Sequence, residues 1–164
     1  MNVGNIVIGL LVLAFILYRQ LQPRAIREDN PYRIMGILAI IGLLELVSFG
    51  NKHDVPGKAW LLLALSIAIG AGFGALRGLF VHVWRKDGVL TRQGNASTIV
   101  LWIVAIAIHF GADAVIGHEA PNAKGLADTG VLLYLAFALA AQQAVVIERG
   151  RKMLDEGVVR GQVF

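Results

Sequence analysis

Apolar residues run through this chain in long blocks separated by short polar ones, and neither a period of two nor a narrow helical stripe dominates. The blocks lie at about residues 3–21, 34–49, 58–84, 98–116 and 126–147. A bilayer core needs roughly 20 apolar helical residues, so each block reads as a transmembrane helix. The expected fold is all-α: a polytopic bundle of five spans in a single domain covering residues 1–164. The breaks are turn-rich. Pro23 to Tyr32 is a polar loop, Gly50 to Gly57 holds Asn51, Asp54 and Pro56, and Gly117 to Gly125 holds Pro121. Residues 148–164 mix charges with glycines and read as a short, frayed tail.

One junction is organised differently. The third block carries Gly70, Gly74 and Gly78 at four-residue spacing, which puts three positions without side chains on one ridge for close helix packing. It is expected to continue to Trp84-Arg85-Lys86. A polar hairpin follows with Asp87-Gly88 as its turn. Ser97 and Thr98 then suit the cap of the next helix.

Composition agrees with a membrane protein: 57% hydrophobic residues, 16% charged, and a mean hydropathy of +0.68, where soluble domains are nearer one-quarter charged. The net charge of +4 forms no independent patch and argues against nucleic acid. Charge position says more than charge total. Of the 15 Lys and Arg residues, all but Lys52, Lys58 and Lys124 fall on one side of the five-span arrangement. Basic loops stay cytoplasmic, so the expected orientation is N-terminus outside and C-terminus inside. The first block has no basic residue before it and no small-residue cleavage site after it, so it reads as an uncleaved span.

Charged side chains within apolar spans cost about 2.5–3.5 kcal/mol on insertion scales, so each asks for an explanation. At about 1.5 Å per helical residue, Glu45, His109 and Asp113 fall in the outer half of the membrane, with Ser66 at a similar depth. His109 and Asp113 share a helix face, being four residues apart. A histidine with carboxylates suits a proton relay, an oxygen/nitrogen metal site, or a hydrogen-bonded cluster that fixes helix register. Arg77, Gln142 and Gln143 fall in the inner half. Arg77 reads either as a snorkelling residue or as a contact between helices.

The chain has no cysteine, which removes disulfides, thiolate metal sites and thiol redox chemistry by this chain. No phosphate-binding loop, zinc-protease helix or nucleophile elbow is present. His109 lacks a second intramembrane histidine with which to hold a haem. No metal or cofactor is therefore assigned, and no catalytic residue. The expected partners are the lipid bilayer and other membrane proteins or a second copy.

The sequences Gly74-Ala75-Leu76-Arg77-Gly78, Val83-Trp84-Arg85, Asp87-Gly88, Arg92-Gln93-Gly94, Thr98 and Leu101-Trp102 cover about a fifth of the chain. This stretch resembles the CcdC-like family of small bacterial integral membrane proteins. The resemblance implies a bacterial plasma-membrane location and a link to cytochrome c biogenesis. It marks Arg77, Trp84, Arg85, Asp87, Gly88 and Arg92 as motif positions without assigned chemistry. The functional expectation is a non-enzymatic scaffold or partner-binding protein. The alternative is a small transporter or proton-coupled carrier using Glu45, His109 and Asp113.

Overall fold

The computed structural model describes residues 18, 21–26, 30–86 and 89–161, with side chains as far as residue 154. The first expected span (3–21), apart from Tyr18 and Leu21, and the turn residues Asp87 and Gly88 lie outside the described residues. The described chain runs β1 (Arg24–Ala25), α1 (Arg33–Lys52), α2 (Gly57–Phe80), β2 (His82–Lys86), β3 (Val89–Gln93), α3 (Ala96–Glu119), a 3-10 turn (Pro121–Ala123), α4 (Leu126–Thr129) and α5 (Val131–Gly161). Four of these helices, α1, α2, α3 and α5, are long and apolar enough to cross a membrane. Large apolar side chains such as Ile37, Ile40, Leu44, Leu61, Leu65, Ile103 and Phe110 point outward from them. Such a surface is stable in hydrocarbon and a liability in water.

The helices pack mainly through α2 on α5, with α1 on α5 and α3 on α2. Two apolar clusters close the ends. Leu46, Ala59, Leu63, Ile116, Ala123, Leu126 and Ala127 fill one end. Ile26, Val81, Val83, Leu90 and Val146 fill the other, beneath a three-stranded antiparallel sheet ordered β1-β3-β2. This sheet end is where β1 precedes α1, where α2 stops and where α3 starts.

Boundaries depart from the sequence expectation in three places. Helix α2 stops at Phe80, and Trp84 lies in β2, because the apolar period changes at Val81: Val83 is buried between exposed His82 and half-buried Trp84. The β-branched and aromatic run Val81-His82-Val83-Trp84 suits a half-buried pleated strand. The span expected from residue 126 is interrupted. Gly125 takes a left-handed φ of 88° and starts the four-residue α4, and Gly130 separates it from α5. The expected tail instead continues α5 as far as Gly161, giving a helix of 31 residues. At 1.5 Å per residue this is about 46 Å, longer than a ~30 Å hydrocarbon core. The excess passes under the sheet. Gly150 lets the helix come close, since a Cβ there would stand 3.1 Å from Leu90 Cδ1, and Ile147 and Leu154 pack on the same cluster.

The register pairs Lys86 with Val89 and Val83 with Arg92. Helix α3 starts with a reciprocal cap: Asn95 Oδ1 accepts from the Thr98 amide at 3.0 Å, and the Asn95 amide donates to Thr98 Oγ1 at 2.9 Å. Two otherwise orphaned amides at the helix start are thereby satisfied. Asn95 Nδ2 also donates to the Phe80 carbonyl at 2.8 Å, so one side chain joins the end of α2 to the start of α3.

Candidate functional site

The polar residues of the bundle form a column between α2, α3 and α5, and the glycine ridge sets its geometry. Gly70, Gly74 and Gly78 all face α5. A Cβ at Gly70 would collide with the Tyr134 ring, one at Gly74 with the Ala138 carbonyl, and one at Gly78 would stand 2.7 Å from Val145 Cβ. The ridge is therefore filled by α5 of the same chain and is not a free surface for a second copy. Tyr134 occupies the space opened by Gly70 and is 2% exposed; its hydroxyl donates to the Ala105 carbonyl of α3 at 2.8 Å.

Tyr134 links the two expected polar layers. On its outer side the His109 ring lies 4.4 Å away between centroids. His109 is buried, and its Nδ1 is 3.4 Å from Ser66 Oγ on α2. Its Nε2 has no hydrogen-bond partner. Asp113, one turn further along α3, is half-buried and faces the backbone of Ala127 and Asp128 in α4, with the Asp128 charge near both Asp113 and His109. On the inner side lies Arg77 of α2. The Arg77 guanidinium is fully buried and stacks 3.9 Å above the Trp102 ring. Snorkelling does not occur: a helical side chain leans toward its own N-terminus, and for α2 that direction leads into the bundle, away from the sheet end.

Glu45 does not join this column. It is exposed on α1 and lines an open groove with Ser48, Phe49, Lys52, His53, Asp128 and Thr129. The structure brings His109 and Asp113 together with the expected Ser66 and adds Asp128, while Glu45 reaches only the Asp128 side of the group. Among the described residues no cluster of three or more His, Asp or Glu is arranged to hold a metal ion.

Of the motif positions, Trp84, Arg85 and Arg92 lie in the sheet, and Asp87 and Gly88 lie outside the described residues. Arg92 Nη1 donates to Gln143 Oε1 on α5 at 2.5 Å, and Arg24 lies directly across the ladder from Arg92. Burial, followed by the neighbouring Arg24 charge, holds the Arg92 guanidinium below its ordinary pKa. Arg85 and Lys86 on β2 are exposed, and Trp84 is half-buried with its ring 5.2 Å from His82. Arg149 of α5 is a further fastening that sequence reasoning missed. Its Nη1 donates to the carbonyls of Gly78, Leu79 and Val81 at 2.7, 2.8 and 2.7 Å. A cation at the last turn satisfies orphan carbonyls and opposes the negative end of the helix dipole. Assigning residue 148 onward to a tail hid this role. Asp128 and Tyr134 were missed for a different reason: one sat at an expected span boundary, and the other was a lone aromatic in an apolar block.

The chain matches no protein-family model, no curated protein and no solved structure.

Proposed function

We infer that this is a non-enzymatic membrane scaffold whose basic sheet docks partner proteins at the cytoplasmic face of a bacterial plasma membrane, with the N-terminus outside and the C-terminus inside. One observation carries this reading. The strand pair β2–β3 presents Arg85 and Lys86 to solvent while being fixed to the bundle through Arg92–Gln143, Arg149 and the cluster around Val146. A rigid basic platform beside a membrane attracts acidic surfaces and aligns them. The CcdC-like resemblance falls on these same residues, and the link to cytochrome c biogenesis belongs to this proposal.

A second reading is favoured by the column itself. Ser66, His109, Asp113, Asp128 and Tyr134 supply groups that a proton-coupled carrier needs, with Asp128 taking the place expected for Glu45. One complementation experiment separates the two readings in cells lacking their own copy. The scaffold reading expects Arg85→Glu with Lys86→Glu to insert normally and fail to restore function, while His109→Asn and Asp113→Asn restore it. The reverse pattern supports the carrier and rejects the scaffold.

A further inference from the structure

Arg77 is the most heavily buried charge among the described residues, with no exposed surface. Its Nε, Nη1 and Nη2 atoms have no hydrogen-bond partner, and neither does the buried indole Nε1 of Trp102, the ring on which the guanidinium stacks. Ion pairs among the described residues join Lys58 to Glu119 and Lys152 to Glu148, and none reaches Arg77. Among the described side chains, the elements packed around it offer no compensating charge: α2 contains no acidic residue, the acidic residues of α3 are Asp113 and Glu119 near its far end, and Glu148, the acidic residue of α5 whose side chain is described, is exposed. Cation–π stacking on one ring recovers only part of what an isolated cation loses on burial. The stack alone does not balance the charge.

The donors share one chemistry. A guanidinium presents planar N–H groups whose spacing matches two oxygens of a phosphate or carboxylate, and the indole N–H adds a neutral donor beside them. Arg77 lies three residues before the end of α2, so about 4–5 Å along the axis from the sheet end. From there its side chain leans into the bundle toward Trp102. We propose that Arg77 and Trp102 form a binding site for a phosphate oxyanion at the junction of α2, α3 and α5. The guanidinium supplies the charge and the fork, and Trp102 supplies both the surface that holds the fork and one further donor. The phosphate comes either from an anionic lipid headgroup or from solution. The site is independent of the docking role of the sheet.

Thermal unfolding of the full chain in a phosphate-free sugar detergent tests this. The probes are short-chain phosphatidylglycerol and, separately, inorganic phosphate, with chloride at matched ionic strength as the control. The expected result is a saturable rise in Tm with at least one probe. A response to the lipid alone identifies a headgroup site, and a response to inorganic phosphate identifies a soluble oxyanion. Arg77→Gln should lose the rise, and Arg77→Lys should need about tenfold more ligand, having lost the fork. Trp102→Phe keeps a ring beneath the guanidinium and removes only the indole donor, so it tests the site even if Arg77→Gln does not fold; it should shift the midpoint of the titration upward. No rise with either probe in the wild-type chain, or an equal titration in Trp102→Phe and in Arg77→Gln where that variant folds, overturns the site and leaves Arg77 as a stacking strut.

Discussion

Two glycines on α2 have opposite surroundings although only one residue separates them. Gly72 has nothing within 4 Å of a notional Cβ, whereas a Cβ on Gly74 meets the Ala138 backbone. Gly72→Ala should therefore raise stability by up to about 1 kcal/mol, as expected for a glycine in a helix interior. Gly74→Ala should lower it by about 1–3 kcal/mol through overpacking. Thermal unfolding in detergent reads both, and equal Tm values for the two variants would contradict the packing of α2 on α5. Asn95 is another residue with a defined job. Asn95→Ala removes the α3 cap and the bond to Phe80, and should cost about 0.5–2 kcal/mol. The glycines were legible in the sequence because four-residue spacing has few other uses in an apolar helix. Tyr134 was not legible, since its role depends on the hole left by Gly70, and nothing in the order of residues ties position 70 to position 134.

At the scale of elements, the sheet end depends on how α2 is stopped. Its last carbonyls are met by Arg149, and Asn95 takes Phe80. Arg149→Gln leaves several carbonyls without a charged donor, at a cost of about 1.5–3 kcal/mol. Hydrogen exchange should show the effect locally, with faster exchange at Val81 and Val83 and little change at α1. Arg149→Lys should recover part of the protection, because all three contacts come from the single nitrogen Nη1 and an ammonium also presents N–H donors, although on a shorter stem. Uniformly faster exchange through all helices would mean that Arg149 stabilises the whole bundle and not this junction. The β2–β3 hairpin was visible in Asp87-Gly88, but its first strand was absorbed into the apolar block because Val81 to Trp84 is as hydrophobic as the helix before it. Strand β1 has two residues, too few for any period to show, and it exists only because Ile26 can enter the cluster under Leu90, its amide donating to the Leu90 carbonyl at 2.8 Å. Helix α4 was equally hidden, and with it the position of Asp128.

The described charged residues divide along the bundle axis. One end carries a sheet with Arg24, Arg85, Lys86 and Arg92 and, beneath it, Arg149; the other carries Lys58 paired with Glu119, together with Asp54, Asp128 and Lys124. The membrane character and the four described spans followed from block length and composition, which act through bulk hydrophobicity and do not depend on specific contacts. The convergence of polar residues depended on helix rotation and on which helix neighbours which, so Glu45 could not be separated from His109 and Asp113 by depth alone. The proposed docking role requires the basic sheet to face the cytoplasm. The absence of cysteine makes a direct measurement possible. Single substitutions Lys86→Cys and Lys124→Cys, both at exposed positions, place one thiol at each end of an otherwise thiol-free chain. With a membrane-impermeant maleimide on intact cells, Lys124→Cys should label and Lys86→Cys should label only after the membrane is opened. Labelling of Lys86→Cys in intact cells, with Lys124→Cys protected, would put the sheet outside and contradict the account.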